Sequence, residues 1–419
     1  MFIKNFDQLA TTPQRKIVLQ LIEEAYSSIQ SENVINNSIQ IDRNILKIKE
    51  QTFDLSSFNR ILLIGFGKGS ARISKLIEEK LGDLLTDGYV IDTNPEDFKK
   101  IQFTQGTHPL PSQTNVDFVE NLLKQTENMS EKDLVIVAIT GGGSALFEAP
   151  NIPLSIITEI NETLLKSGAN ITEMNTLRKH LSKVKAGNLA KHLYPATIIT
   201  AICSDVPGND LSVISSGPTV KDKTNIEDAK TILEKITRSD LADRLIETPK
   251  DDKYFEKVTN ILILSNLTAL TAMKKKAEEL GYNAEIFSDK LQGDAKIVGK
   301  ELIEKTDSGR ILLAGGETTV KVTGHGAGGR NQEVVLGAVI NIDEKTTISS
   351  FASDGWDNSA FAGAIGDLKT LEKAISLDLN PQTFLNNDNS LEFFEKTENG
   401  IETGRIPSNI SDLFIVLKS

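Results

Sequence analysis

Short apolar runs alternate with amphipathic segments along most of the chain. Residues 61–64 are four consecutive aliphatic side chains, as in a buried strand, and residues 71–81 repeat apolar side chains at helical spacing. The same alternation predicts an amphipathic helix at 13–31, an extended piece at 39–48, strands at 88–91, 134–139, 196–203, 261–264, 284–287, 346–352 and 413–417, and helices at 115–124, 154–167, 175–191, 268–280, 294–305 and 332–340. Strands that alternate with helices in this way predict an α/β fold with mostly parallel sheets.

A polar segment at about 222–258 divides this pattern into two halves. A chain of 419 residues usually forms two domains. We therefore predict an N-terminal Rossmann-like α/β domain at residues 1–240 and a second α/β domain at residues 250–419, joined near residues 248–252.

Composition narrows the possible classes of function. Hydrophobic residues make up 39% of the chain and charged residues 25%, as in an ordinary soluble globular protein. The net charge of −12 argues against general binding to nucleic acid or to a membrane surface. The single cysteine, Cys203, allows no internal disulfide, and the N-terminus lacks the layout of a signal peptide, so we expect a cytoplasmic location.

Two glycine-rich loops follow predicted strands, one reading GFGKG at 65–69 and the other TGGGS at 140–144. Successive glycines offer backbone N–H groups that can cradle an anion, and a lysine beside them suits a phosphate or a carboxylate. The candidate anion-binding residues are Gly67, Lys68, Gly141, Gly142, Gly143 and Ser144.

The longest glycine-rich stretch, at 315–333, contains a carboxylate, an arginine and an amide. Glu317 is predicted in the turn of a hairpin between short strands at 311–314 and 320–322. Arg330 and Asn331 are predicted at the start of a helix, where partial positive charge and a guanidinium fork together favour phosphate or carboxylate.

Further charged side chains lie on loops that follow strands and on one predicted helix. Carboxylates on rigid loops can hold Mg²⁺ against phosphate oxygens or take a proton from a substrate hydroxyl. Ligands of open α/β sheets bind at the carboxyl ends of the strands, so these loops together predict one large cleft. The candidates are Asp205, Asp210, Asp354 and Asp357 on the loops, and the basic cluster Arg178, Lys179 and His180 on the helix.

Other chemistries match the sequence less well. The loop at 65–69 lacks the third glycine of a dinucleotide fingerprint, and no clear acidic residue closes the following strand in the expected register. Lys68 is followed by Gly69, so the loop is not a P-loop either, and Ser144 lacks the G-x-S-x-G elbow of a hydrolase. Phosphate cradles, basic side chains and carboxylates without a redox or covalent signature favour phosphoryl transfer.

Eight motifs, in order, resemble the glycerate 2-kinase family, whose C-terminal part is the MOFRL domain. They extend over nearly the whole chain, from about residue 60 to 417. They read GFGK at 65–68, HPLP at 108–111, GGGSAL at 141–146, LRKHLS at 177–182, SDVPGND at 204–210 with SGPT at 216–219, GGETT at 315–319, GGRNQE at 328–333 and SDG at 353–355.

This resemblance implies a kinase that uses ATP and Mg²⁺ to phosphorylate the 2-hydroxyl of D-glycerate, with the active site in a cleft between two α/β domains. At the matching positions, Lys68 and Arg330 would neutralise the transferring phosphoryl group or hold the glycerate carboxylate. Asp205 would be the general base or a metal ligand, and Glu317 would help hold Mg²⁺ or a substrate hydroxyl. The glycine loop at 141–144 would cradle nucleotide phosphates. The resemblance implies small-molecule partners, with no nucleic acid or membrane, and leaves a homodimer open.

Two alternatives remain at this point, an NAD(P)H-dependent hydroxypyruvate reductase and a non-catalytic binder of small phosphorylated acids. The chain also departs from the family pattern in three places, at 186–188, at Ala360 and Phe361, and at 403–409. The last two lie in the predicted second domain and leave substrate preference open.

Overall fold

Two six-stranded sheets and one three-stranded sheet organise the computed structural model, which describes all residues 1–419. The strands are β1 (Ile39–Asp42), β2 (Ile45–Ile48), β3 (Gln51–Asp54), β4 (Arg60–Phe66), β5 (Asp87–Asp92), β6 (Ile101–Gln105), β7 (Asp133–Ile139), β8 (Thr197–Cys203), β9 (Val258–Leu264), β10 (Asn283–Leu291), β11 (Arg310–Gly316), β12 (Thr346–Ala352), β13 (Gly363–Asp367), β14 (Gly400–Ile401) and β15 (Asp412–Lys418). The helices are α1 (Phe6–Leu9), α2 (Pro13–Ser28), α3 (Ser31–Ser38), α4 (Ser70–Leu81), α5 (Gln113–Gln125), α6 (Gly143–Leu146), α7 (Leu154–Lys166), α8 (Ile171–His180), α9 (Asn188–Leu193), α10 (Ile226–Lys235), α11 (Asn266–Glu279), α12 (Ala295–Lys305), α13 (Arg330–Val339), α14 (Leu368–Ser376), α15 (Pro381–Asn386) and α16 (Ser390–Thr397). The predicted α/β class is confirmed.

The elements form two compact units. The upstream unit comprises residues 34–204 and 209–263, and the downstream unit comprises residues 1–33, 205–208 and 264–419. The two units interleave in sequence, whereas the predicted domains at 1–240 and 250–419 do not. Those domain bounds stay a prediction. No helix combines the length and the apolar character needed to cross a membrane.

The sheet of the upstream unit has the strand order β6-β5-β4-β7-β8-β9. The pairs from β6 through to β8 are parallel, and Phe66 at the end of β4 lies opposite Ile139 at the end of β7. Both strands are aliphatic and almost entirely buried, as expected for a sheet covered on both faces. Because parallel strands end at the same edge, the loops that follow β4 and β7 lie side by side.

The sheet of the downstream unit has the order β10-β11-β15-β12-β13-β14. Here β10 and β11 pair in parallel, while β15 lies antiparallel between β11 and β12. Side chains of α12, α13 and β15 share one core cluster with Val298, Leu336 and Phe414 among its members. The sheet thus places the end of β11 and the start of α13 on the same unit.

Two predicted elements are wrong. Residues 320–322 form no strand, because β11 pairs with β10 and β15 and leaves no free edge for a hairpin partner. Residues 175–191 form no continuous helix. Ala186 and Gly187 adopt left-handed conformations and donate their N–H groups to Ser216 and Gly217, which separates α8 from α9.

The N-terminal segment belongs to the downstream unit. The predicted helix at 13–31 is confirmed as α2, which packs on α11 and β12. Arg15 donates from Nε and Nη2 to the two carboxylate oxygens of Asp367, at 2.7 Å each, and both side chains are buried. The Tyr26 hydroxyl donates to the Ala352 carbonyl at 2.9 Å. The first residues of the chain are therefore part of the packing around β12 and β13.

Candidate functional site

A glycine turn in the upstream unit, residues 140–144, follows β7 and lies beside the loop that follows β4. The Lys68 backbone N–H donates to the Gly141 carbonyl at 2.8 Å, and the Lys68 side chain is exposed. A Cβ atom at Gly67 would lie 2.3 Å from the Thr140 carbonyl oxygen, so only glycine permits this approach of the two loops. The N–H groups of Gly142, Gly143 and Ser144 donate to no acceptor in the chain. Free N–H groups beside a lysine are suited to an anion, and the anion-binding role of this turn stays a prediction.

The other wall of the glycine turn comes from residues 215 and 216. The Ser144 and Ser216 hydroxyls are 3.1 Å apart, and the Ser215 hydroxyl donates to the Thr140 carbonyl at 3.4 Å. Ser215 and Ser216 have φ angles of 49° and 62°, which are strained for side chains other than glycine and asparagine. Strain of this kind concentrates at functional sites, and it marks this turn as a constrained part of the fold.

A histidine that was not among the sequence candidates also contacts the glycine turn. A Cβ atom at Gly142 would lie 2.9 Å from Cδ2 and 3.0 Å from Nε2 of His108, and 3.2 Å from Cε of Lys68. His108 and Lys68 therefore meet over the same glycine. The motif HPLP contains this residue, but no local pattern indicates that its loop returns to the end of β7.

The three residues of the predicted basic cluster on α8 have different partners and different burial. Lys179 is buried and pairs with Asp222 at 2.9 Å, and His180 is buried with Nδ1 2.9 Å from the Thr176 carbonyl. Arg178 is half-buried and donates to the Asn161 side chain at 2.8 Å. Consecutive helical residues point in different directions, so three basic residues in a row do not form one surface. A ligand-binding role for them stays a prediction.

An acidic residue does close the strand beside β4, although sequence analysis found none in register. Asp92 ends β5 and is fully buried. Its carboxylate accepts N–H groups from Ala71, in the first turn of α4, at 2.9 Å and from Thr93 at 2.6 Å. Burial raises the pKa of Asp92 and these N–H groups oppose that rise. The carboxylate caps α4 from inside the fold, whereas a dinucleotide site would present it to a ribose.

The downstream unit contains a cavity of about 600 Å³ beside the first turn of α13. It combines apolar walls with several charged groups. Its lining is Thr318, Thr319, Val320, Val322, Gly326, Ala327, Gly328, Gly329, Arg330, Asn331, Glu333, Ala352, Trp356, Asp357, Asn358, Asp388 and Asp412. Trp356 is 42% exposed, and the Arg405 guanidinium stacks on its ring at 4.0 Å.

Arg330 is fixed between two carboxylates. Its Nε and Nη2 donate to Asp412 at 2.5 and 3.2 Å, and its Nη1 donates to Glu317. Asp412 is buried, while Arg330 keeps 35% of its side chain exposed. Burial raises the pKa of Asp412, and the guanidinium opposes that rise. The arginine is thus preorganised with part of its fork available to an anion.

The start of α13 is occupied by a side chain of the protein itself. Asp357 is buried and accepts the N–H groups of Asn331 and Gln332 at 3.0 and 2.8 Å. The Asn331 side chain donates to Asp357 and accepts the Ser350 hydroxyl. We predicted that this helix terminus would receive a ligand anion, but the Asp357 carboxylate already fills that role.

The remaining carboxylate candidates differ in their surroundings. Asp205 is half-buried on the loop after β8, and its carbonyl accepts the Ser411 hydroxyl at 2.8 Å. Asp210 is exposed and caps Ser212 at 2.9 Å, and Asp354 accepts the Trp356 N–H at 3.0 Å. The Glu317 carboxylate, which we predicted as a metal ligand, is paired with Arg330.

Glu333, which lines the cavity, was not predicted from the sequence. Its side chain is buried, with 2% of the residue exposed. Burial raises its pKa to about 7. An acidic residue one helical turn after Arg330 on an otherwise apolar helix was the available signal.

Known proteins resemble this chain along almost all of its length. A family model described as a domain of unknown function (DUF4147) matches residues 17–248, and the MOFRL family matches residues 310–412. A glycerate 2-kinase from Picrophilus torridus is 35% identical over 99% of this chain and 99% of its own length. The crystal structure of a glycerate kinase from Thermotoga maritima has a TM-score of 0.85 and 30% identity, covering 96% of this chain and 99% of that one.

A further relative bears on the alternative function. A protein from Agrobacterium vitis, provisionally named as a hydroxypyruvate reductase, is 30% identical over 85% of this chain and 87% of its own. Its name differs from that of the Picrophilus torridus relative, which matches this chain at higher identity and coverage. Since the family model that matches residues 17–248 covers more than half of the 419 residues, and relatives match nearly all of them, the chain belongs to the glycerate 2-kinase family.

Proposed function

We propose that this enzyme transfers the γ-phosphoryl group of ATP to the 2-hydroxyl of D-glycerate and releases 2-phosphoglycerate and ADP. The observation that supports it is the glycine turn at 140–144. Three free backbone N–H groups and the Ser144 hydroxyl lie there at the ends of two parallel strands, and the Lys68 side chain passes beside Gly142. Catalysis of phosphoryl transfer depends on holding phosphate oxygens and neutralising their charge, and these groups are suited to both tasks.

Each unit contributes its own chemistry to this proposal. In the upstream unit, the N–H groups of the glycine turn and Lys68 hold phosphate oxygens. In the downstream unit, Arg330 holds an anionic group, because its guanidinium is fixed by Asp412 and remains partly exposed. Asp205 takes the proton from the substrate hydroxyl or holds a metal ion.

The residues that could hold Mg²⁺ in this proposal are carboxylates. Mg²⁺ commonly uses one or two carboxylates together with the phosphate oxygens of its nucleotide. The Glu317 carboxylate is paired with Arg330, and Asp205 is the second carboxylate that could hold the ion. When bound, Mg²⁺ would neutralise charge on the phosphate oxygens.

The test is an assay of nucleotide turnover with and without D-glycerate. The proposal predicts ADP release that depends on glycerate, and a product identified by mass and NMR as 2-phosphoglycerate. A 3-phosphoglycerate product would overturn the position of transfer, and ADP release that ignores glycerate would overturn the kinase itself. A parallel assay contains NADH and hydroxypyruvate. A fall in the absorbance of NADH in that assay would favour the reductase.

Asp205→Asn separates the two roles of this residue. If Asp205 is the general base, kcat falls by roughly two to four orders of magnitude and added Mg²⁺ does not restore it. If it holds the metal, the loss shrinks as Mg²⁺ concentration rises. An effect of only a few-fold at every concentration would remove Asp205 from both roles. Asp243→Asn, at an exposed position that is not among the candidate residues, is the control for the change of charge.

A further inference from the structure

We propose that His108 donates a hydrogen bond from Nε2 to an anionic oxygen of the ligand that the glycine turn holds. This inference rests on the proposed function, because it assigns one more residue to the same site. The shared chemistry of the ligand is a phosphate or carboxylate oxygen, and the experiment below distinguishes the two.

The position of His108 supports this role. The imidazole lies against Gly142, with Nε2 3.0 Å from where a Cβ atom of that residue would stand. The Lys68 Cε lies 3.2 Å from the same point. Nε2 is thus beside Gly142, the first residue of the turn with a free N–H group, and on the same side of that residue as the lysine stem. A donor there would add to the positive potential that holds an anion.

His108 is held in place by a buried amide. Asn115, which is fully buried in α5, accepts the Thr107 N–H at 2.9 Å. Its Nδ2 donates to the carbonyls of Thr107 and Ala145, both at 3.0 Å. One side chain therefore ties the residue before His108 to the segment that follows the glycine turn. A fixed position lowers the entropic cost of using a side chain as a donor.

The ionisation state of the ring fits a neutral donor. Burial lowers the pKa of His108, and the Lys68 ammonium lowers it further. A neutral imidazole carries one N–H group, so it can donate from Nε2 while Nδ1 stays unprotonated.

Substitutions that preserve one nitrogen at a time provide the test. Glutamine places its amide nitrogen near the position of Nε2, and asparagine places its amide nitrogen near Nδ1. We expect His108→Gln to keep kcat/KM within about threefold, and His108→Asn and His108→Ala to lower it by about tenfold or more, as for the loss of one hydrogen bond to a charged group. Leu110→Ala, at an exposed position of the same loop, is the control and should behave as the parent enzyme.

The affected Michaelis constant identifies the ligand group. A rise in the KM of ATP assigns the contact to a phosphate oxygen, and a rise in the KM of D-glycerate assigns it to the carboxylate. A glutamine variant as impaired as the alanine variant would overturn donation from Nε2. Equal activity of all three variants and the parent would overturn the inference while leaving the kinase proposal intact.

A binding arm keeps the two proposals separate. If the parent enzyme releases no ADP in response to glycerate, the proposed function fails, but calorimetric titration with pyrophosphate and with D-glycerate still reports on the site. Weaker binding of pyrophosphate or of D-glycerate by His108→Ala than by His108→Gln supports the contact, and equal binding of both ligands by the two variants overturns it. Melting temperatures of the free variants within about 2 °C of the parent show that the fold is intact.

Discussion

Arg330 combines contacts that stabilise the fold with a proposed role in binding an anion. Its guanidinium donates to Asp412, which is buried at the start of β15. Its Nη1 donates to Glu317. A buried carboxylate that loses its only cation is strongly destabilising, whereas an exposed ion pair contributes little. The same contacts that fix the arginine for an anion therefore also contribute to the stability of the downstream unit.

Removal of the Arg330 guanidinium should leave the buried Asp412 carboxylate without its cation. We expect Arg330→Ala to lower the free energy of unfolding by about 2 kcal/mol, less than for a fully buried pair because the arginine is partly exposed. Without the guanidinium, the pKa of Asp412 in the folded state rises further above its unfolded value. The loss should therefore be larger at pH 8 than at pH 5, because the penalty appears as the pH rises and the buried acid must ionise.

Urea denaturation of the single and double variants measures this effect. Asp412→Asn should restore part of the loss in Arg330→Ala, since it removes the unpaired charge. Arg310→Ala is the control, because its ion pairs with Glu285 and Asp307 are exposed and should contribute about 0.5 kcal/mol or less. An equal loss at both pH values, with no recovery in the double variant, would contradict this account.

Residue chemistry was predictable where a local pattern determines it. The free N–H groups of the glycine turn follow from three glycines after a buried strand, and Lys68 follows from its own loop. Asn331 was predicted to bind a ligand, but Asp357 takes its N–H group and its amide. His108 and Asp92 were missed because their neighbours, Gly142 and Ala71, are distant in sequence. Contacts of this kind depend on topology, which single-sequence patterns do not specify.

At the scale of elements, the glycine-rich segment at 323–329 depends on the segment at 387–391 rather than on its own turns. Asp388 accepts the N–H groups of Thr323 and Gly324 and pairs with Lys296. Leu391 donates its N–H to Ala327 at 2.9 Å, and Gly326 donates to Asn387 at 2.9 Å. The wall of the cavity is thus held from the connection between α15 and α16.

The stabilisation of residues 323–329 by the Asp388 carboxylate should be lost in acid. Burial favours the neutral form of Asp388, but Lys296 and the two N–H groups outweigh it and lower its pKa from 3.8 to about 2. A lowered pKa means that the stabilisation is complete above about pH 4 and disappears as the pH falls towards 2. At pH 7 the variant Asp388→Asn should reproduce the acid state, with amide hydrogen exchange at residues 323–329 faster by about tenfold.

Hydrogen exchange followed by mass spectrometry gives the measurement. Glu344→Gln, an exposed carboxylate of the same unit, should leave exchange at 323–329 unchanged. The account fails if Asp388→Asn leaves these amides as protected as in the parent enzyme at pH 7.

Element types followed from hydrophobic periodicity, and their pairing did not. The aliphatic runs at 61–64, 134–139 and 413–417 lie within β4, β7 and β15. The hairpin around Glu317 was wrong because two short apolar runs near a glycine turn look like partners in sequence, while β11 finds both partners elsewhere. The prediction of a continuous helix at 175–191 was wrong because α8 ends at His180, and Ala186 adopts a left-handed conformation in which its N–H donates to the Ser216 carbonyl. Neither outcome is encoded within the segment itself.

At the scale of the whole molecule, the chain begins in the unit that also contains its last strand. Arg15 reaches Asp367 across 352 positions in sequence, and the Tyr26 hydroxyl reaches Ala352. A sequence pattern cannot predict these contacts between the N-terminal helix and distant strands, because an amphipathic helix could pack on any apolar face. The expected cleft between the predicted domains likewise stays a prediction.

Loss of the pair between Arg15 and Asp367 should destabilise the downstream unit. Arg15→Met retains most of the aliphatic stem but leaves Asp367 buried without its cation, so we expect a loss of about 3 kcal/mol in unfolding free energy. Lys16→Ala, at the exposed neighbouring position on α2, should lie within about 0.5 kcal/mol of the parent. Chemical denaturation measures both. A cost below about 1 kcal/mol for Arg15→Met would show that the N-terminal segment is dispensable for this packing.

The place of β15 in its sheet has a consequence for synthesis on the ribosome. The upstream sheet needs only strands between residues 60 and 264, so it can assemble while the rest of the chain is still being translated. The downstream sheet cannot, because β15 joins β11 to β12 and is the last strand of this sheet to be translated. Asp412 arrives with that strand. A nascent chain therefore gains its glycine turn early, and Arg330 receives its buried partner only after β15 has been translated.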